Sequence, residues 1–411
     1  MHTPTPSEHP VRRHRQRWSL TALSTAAALT LVTLVTPSRD LAAQAAPAVR
    51  DLPRPTRELE DPFSLIAGVR EIGRGRVAVV DAMDGELAVV NFSTGERNAL
   101  GRQGAGPGEY RTPGAVFRVR GDTIWALDAA QQRLTVFLPD LKAGVPFHLE
   151  MFDAATKTVL MAPFNVDDAG RMYTGTMEVN PGSGGVSIPD SVAIIRFDPR
   201  ATGAARTTLG RVRFPTSGKP EMQVEGQVIK YKMAFPGLVT ADSWAAFPDG
   251  RVAIVHGSTY TVEMIAPNGT RTTGRPIAYD RVPVTQADKD AEMAEAKRVL
   301  AEQMKAAQRS MPPGFSLDIN MTPPATWPAT FPAITPMAVL AAPDGMLWVR
   351  RSTPIRLDRE LWDVIDASGA LVGRWRAPAR TKIIGVGAGV VYTVRLDEDD
   401  LQYLGRVEVR R

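Results

Sequence analysis

From residue 60 onward, short runs of β-branched and other apolar residues alternate with turns rich in Gly, Asp, Pro and Asn. Consecutive antiparallel strands give this pattern. One phrase recurs: a short apolar strand, a turn ending in glycine, then a stronger apolar strand. It reads VREIGRGRVAVVD at 69–81 and VFRVRGDTIWALD at 116–128. It returns as FNVDDAGRMYTG (164–175), WAAFPDGRVAIV (244–255), VLAAPDGMLWV (339–349) and IIGVGAGVVYTV (383–394). The turn glycines Gly75, Gly121, Gly170, Gly250, Gly345 and Gly389 are 46, 49, 80, 95 and 44 residues apart. Three of these spacings match the ~40–50 residues of one propeller blade, and the two long ones contain insertions. The pattern predicts an all-β fold, a six-bladed β-propeller.

Each unit continues in the same rhythm. The first runs ELAVVNF (86–92), turns at Ser93-Thr94-Gly95 and resumes as ERNALG (96–101). The fourth turns at Pro267-Asn268-Gly269 and the fifth at Ala367-Ser368-Gly369. Gly in these turns permits the positive φ that tight hairpins demand. The sixth unit has three evident strands before Arg411. Residues around 50–60 are therefore expected to supply its fourth, pairing the two ends of the chain and leaving no open sheet edge.

Residues 101–137, GRQGAGPGEYRTPGAVFRVRGDTIWALDAAQQRLTVF, resemble an NHL-type propeller repeat. The pattern is a Gly-rich linker, an acidic–aromatic pair, Pro, an apolar strand, a Gly turn, a strand ending in Asp, and Arg-apolar-x-apolar. It is matched by Gly104, Gly106, Gly108, Glu109, Tyr110, Pro113, Gly121, Asp128, Arg133, Val136 and Phe137, with Gln132 where the family has Asn. The resemblance covers one blade and implies the propeller fold; propellers host unrelated activities, so it implies no function. The glycines suit the step from an outer strand to the next inner one. Glu109 is expected to accept backbone amides in that step, as are Asp81 and Asp128 at the ends of their strands.

With strands lettered A to D from the axis outward, B–C and D–A connections share one face of the disc. Three long segments fall on it: 178–190 within blade three, 213–237 between blades three and four, and 278–335 between blades four and five. Long loops gathered on one side of a rigid scaffold commonly carry function. The last segment contains a helical stretch, 285–310, opened by Thr285 and Asp288 in capping-box spacing. Met293, Ala296, Leu300, Gln303 or Met304, and Ala307 form a narrow stripe along it. Such a helix either packs by that stripe on its own propeller or serves as a lid or docking surface. Residues 311–336 carry seven prolines and read as extended.

Composition removes several chemistries. The 411 residues are 44% hydrophobic and 23% charged, an ordinary globular balance. The net charge of +5 falls to +2 once residues 1–46 are set aside, which gives no field to concentrate nucleic acid. Those residues pair a basic start, VRRHRQRW, with an apolar run at 20–35 and an Ala43-Gln44-Ala45 site. They read as a secretory signal peptide, and 47–411 as a single exported propeller domain, periplasmic or extracellular, with no stable membrane insertion after cleavage. Cysteine is absent, so thiolate and disulfide chemistry is excluded. Beyond the leader only His148 and His256 remain, too few for a three-histidine metal site. No G-x-S-x-G occurs, and GRQGAGPGEY lacks the Lys and the helix of a phosphate loop. The acidic run LDEDD (396–400) reads as a solvated turn.

The candidate ligand residues are cations beside aromatics, a pairing suited to anionic or sugar-like ligands. They are Arg350 and Arg351 after a B strand, Arg395 before the acidic turn, Tyr231 between two lysines, Trp327, and Trp244 in an inner strand. The expectation is a binding or interaction module for a protein, a peptide or a small anionic or sugar-like ligand, on the insertion-bearing face. It calls for no cofactor, metal or nucleic acid, and no catalytic residue is assigned. The alternative is a Ca-type lactonase-like hydrolase or lyase on the same scaffold, which holds one divalent metal by oxygen ligands.

Overall fold

A computed structural model describes residues 47–409, apart from 74, 129, 179–189, 202, 204, 215–220, 226–227 and 311–315. The leader and most of the 178–190 insertion lie outside the described residues. The repeats fold as the alternation predicts. Blade one is built from Ile66–Glu71, Arg76–Asp81, Glu86–Asn91 and Glu96–Ala99. Blades two and four are likewise four-stranded meanders. Blade three adds Phe152–Asp153 against its inner strand Thr158–Val166.

The ring closes through its N-terminal segment. Blade six takes Thr381–Gly387, Val390–Leu396 and Gln402–Glu408 from the C-terminal end and Arg57–Glu58 as its fourth strand. The same segment also lays Val49–Asp51 parallel to Leu371–Arg376 of blade five. One stretch thus staples two neighbouring blades, and Arg376 pairs with Asp51 at 2.6 Å.

The core lies between blades rather than in one centre. Strand residues bury both faces, so each sheet packs on the next, and six apolar clusters fill the six seams. Val77, Val79 and Val90 of blade one meet Tyr392, Val394 and Leu404 of blade six, with Leu59 and Phe63 filling the gap. Tyr260 and Val262 of blade four likewise meet Leu347 and Ile365 of blade five. A closed circle needs every one of these seams, including the one between first and last blades.

Asp81 and Asp128 end their B strands and draw the preceding link onto their blade. Asp81 accepts amides from Ser64 (2.8 Å) and Leu65 (3.1 Å), and Asp128 from Arg111 (2.8 Å) and Thr112 (3.2 Å). Glu109 takes the amides of Ala105 and Gly106 at 2.9 and 2.7 Å. Those amides, with Arg102 alongside, hold its carboxyl below the ordinary range. The glycine-rich linker is therefore a backbone step.

The two long D–A insertions join. Glu221–Glu225 and Val228–Ala234 form a hairpin, and Ser316–Thr322 pairs in parallel with its second strand. This small separate sheet has no counterpart in the sequence reading, which treats the insertions one by one. The helix runs Gln286–Ser310 (α1), capped as expected: the Thr285 hydroxyl donates 2.6 Å to Asp288, whose own amide donates back at 3.2 Å.

Candidate functional site

A cavity opens on each side of the disc. The first lies at the rim of the insertion-bearing face. It has a volume of about 410 Å³ and is bounded by α1, the B–C loops of blades five and six, and the link into blade six. Arg350 ends a B strand here and pairs with Glu360 at 2.8 Å. Arg298 of α1 pairs with Glu295 at 2.7 Å, and Arg380 with Asp400 at 3.2 Å. Arg359 and Lys382 line the same space and make no ion pair among the described residues. Counting Arg351, whose charge is met by Asp363, six cations line the pocket against the four carboxylates Glu295, Asp358, Glu360 and Asp400.

An ion pair ties the start of α1 to this rim. Asp288 pairs with Arg356 of the blade-five B–C loop at 2.8 Å. The Thr285 hydroxyl and amide, then Arg356, keep its carboxyl below the usual range. Glu292, one turn on, is raised to about 7 by burial and by its neighbour Asp288, against the opposing pull of Arg350. Met293, Ala296, Leu300 and Met304 are half-buried, and none joins a seam between blades.

The second cavity, about 220 Å³, occupies the central channel. Its walls are the ends of the six inner strands that lead into the short A–B turns, so it lies toward the face opposite the insertions. Trp244 of blade four, packed in the seam with blade three and 5% exposed, lines it. Two irregular strands shape its surroundings. Blade three's inner strand shifts register between Met161 and Asn165, and blade five's between Ile334 and Val339. Bulges of this kind re-aim side chains beside functional sites. They carry Pro163 and Met337 to either side of Trp244, and Met337 reaches its positive φ of 56° there, its amide donating to Ser243 at 2.9 Å. Arg70, Glu71, Arg118 and Asn165 supply the polar part of the wall.

The six sequence candidates do not converge. Arg350 and Arg351 both border the rim pocket, but Arg351 is 6% exposed and committed to packing. Its Nε donates to the Ala333 carbonyl at 2.5 Å, its Nη1 pairs with Asp363 at 3.3 Å, and it lies over the rings of Tyr260 and Tyr279. It stands where Asp81 and Asp128 stand, at the end of strand B, and reverses their chemistry by donating to the incoming link. Arg395 clasps Glu58 at 2.7 Å and covers Tyr403, which fastens the N-terminal strand to blade six. Trp327 packs on Phe235, ring centroids 6.1 Å apart, and pins the proline-rich stretch to the other insertion. Tyr231 sits mid-strand in the insertion sheet, in register with Met222 and Ile319.

His256 is held between Asp242 (3.8 Å) and Glu263 (3.3 Å), and Asp242 above all raises its pKa. Asp397 of the acidic run accepts the amides of Asp399 and Leu401, closing its own turn. Among the described residues no group of three or more His, Asp or Glu is placed to hold a metal ion. The sequence reading passes over Arg70 and Asn165. A visible signal exists: each is a polar residue in a largely apolar inner-strand run, Arg70 beside Glu71 and Asn165 between Phe164 and Val166.

No protein-family model matches the chain, and no curated protein does. Solved structures of similar shape include a protein from Bacteroides fragilis NCTC 9343 described as exported. It is 12% identical, with 88% of this chain and 95% of that one covered, at a TM-score of 0.48. A DUF4221 family member from Bacteroides vulgatus is 8% identical over 87% of this chain and 97% of its own, TM-score 0.46. Regucalcin from Agrobacterium tumefaciens, described as calcium-binding, is 12% identical over 88% and 97%, TM-score 0.40. At these identities the neighbours' ligands do not transfer to this chain.

Proposed function

We propose that the protein is an exported propeller that binds an anionic ligand, a small acid, an acidic sugar or an acidic peptide, in the rim pocket beneath α1. One observation carries the reading. The pocket gathers insertion, B–C and D–A segments and the strand ends beside them, and its lining carries six cations against the four carboxylates Glu295, Asp358, Glu360 and Asp400. An excess of guanidinium and ammonium groups on a rigid rim attracts anions and sets the rate and selectivity of capture more than bulk affinity. Export rests on the leader pattern of residues 1–46. No helix among the described residues is long and apolar enough to cross a membrane.

Titration with hexaglutamate and with citrate at low salt tests the proposal. Reversing both charges, Arg359→Glu with Lys382→Glu, should weaken binding about tenfold or more and flatten its salt dependence. Undiminished affinity in a folded double variant would remove the rim pocket as the site. No observation favours the metal-dependent enzyme over this reading.

A further inference from the structure

Inner strands of a propeller meet solvent only along the channel, so a charge on one of them needs a partner or a ligand. Arg70 has no charged partner among the described residues. Its guanidinium donates to the Val69 carbonyl at 2.8 Å, within its own strand, and it makes no ion pair. Burial lowers its pKa, and no carboxylate counteracts that. The next residue, Glu71, projects to the opposite side of the strand. There it faces Tyr392 and the backbone at Gly387, and although it lines the same cavity it makes no ion pair with Arg70. Arg118 lines the same cavity but is taken up by Asp122 at 3.5 Å and Asp168 at 3.1 Å.

Asn165 is a second unmatched group in that wall. Its amide nitrogen is buried with no hydrogen-bond partner. Rotation about its terminal torsion therefore breaks no bond and turns an N–H₂ toward the cavity. Apart from Glu71, the remaining lining is apolar and includes Trp244, Phe117, Phe164, Met337 and Leu340. At about 220 Å³ the space is smaller than the ~300–1,000 Å³ of drug-sized sites.

The geometry points to a second binding site, in the channel half nearest the short turns, for a small organic monocarboxylate. Its carboxylate lies on the Arg70 fork and the Asn165 amide, and its flat apolar body lies against Trp244. A planar guanidinium matches a carboxylate through two parallel N–H···O bonds. One uncompensated cation balances one negative charge, whereas a phosphate monoester brings nearly two. The site is separate from the rim pocket, because the two are built on opposite ends of the strands.

Calorimetric titration of the purified protein with benzoate, benzamide and phenyl phosphate decides the matter. Benzoate should bind, benzamide and phenyl phosphate about tenfold or more weakly by comparison, and Arg70→Gln should abolish the preference for benzoate over benzamide. Asn165→Leu, which leaves the charge in place, should weaken benzoate by about threefold to tenfold and keeps the test open should Arg70→Gln fail to fold. Binding of benzamide as tight as benzoate, tighter binding of phenyl phosphate, undiminished benzoate affinity in either folded variant, or no benzoate binding by the parent protein would each overturn the assignment.

Discussion

Glu292→Gln should make the protein more stable at pH 8 while changing little at pH 4.5. Glu292 faces inward from α1, one turn after Asp288 and one turn before Glu295. Burial comes first, then these like charges, in raising its pKa from 4.5 to about 7 despite Arg350. A carboxyl whose folded pKa exceeds its unfolded value holds its proton more tightly in the folded state. It costs nothing where both states are protonated, grows costly as pH rises from 4.5 through 7, and exerts its full penalty above 7. At ~1.4 kcal/mol per pH unit the gap sets a ceiling of about 3 kcal/mol. Solvent reaches part of the side chain, and screening brings the expected value to about 1–2 kcal/mol. Gln preserves the shape and removes the charge. Urea unfolding of parent and variant at pH 4.5 and 8, with hydrogen exchange at the α1 amides, measures the difference. The variant's advantage should be small at the lower pH and reach that range at the higher one. A variant no more stable than the parent at pH 8, or one with the same advantage at both pH values, would refute the account of how α1 is held.

Two further outcomes test the scaffold. Asp363 is fully buried and accepts from Tyr260 (2.5 Å), Arg351 (3.3 Å) and Arg374 (3.1 Å), so Asp363→Ala strands two guanidinium groups between blades. A loss of about 3–5 kcal/mol in urea unfolding is expected, and under 1 kcal/mol would deny the network its role. Removing residues 47–60 uncovers the blade-six edge and the sites of Leu52 and Leu59, both buried. The two side chains alone account for about 3–6 kcal/mol, so the truncated ring should melt far earlier or self-associate, and an unchanged midpoint in a monomer would contradict closure by this segment.

Local signals made the blades legible. A period-two strand, a Gly turn and a second strand are short-range features, and their repetition at blade spacing leaves few topologies open. The Thr285–Asp288 cap was legible for the same reason, since its two members are three residues apart. Asp81, Asp128 and Glu109 were readable as acceptors of amides because their partners include the neighbouring turn. Residues around 50–60 could be assigned to blade six because a missing strand leaves an edge that the chain must cover.

The candidate site was another matter. Arg351 and Arg395 carry the residue types that bind anions, yet Asp363 and Glu58 consume them, one 12 residues away and the other 337. The parallel pairing of Val228–Ala234 with Ser316–Thr322 joins segments that share no local signal. The acidic edge of α1 gains its meaning from Arg350 and Arg356 on a different blade. Sequence by itself determined the repeating unit, its number and the way the circle closes, because these follow from hydrogen bonding and apolar alternation among near neighbours. Only the tertiary structure decided which charges remain unpaired, Arg359 and Lys382 at the rim and Arg70 in the channel. Whether a charge is satisfied depends on what the ring brings within about 4 Å of it, and that distance is unrelated to separation along the chain.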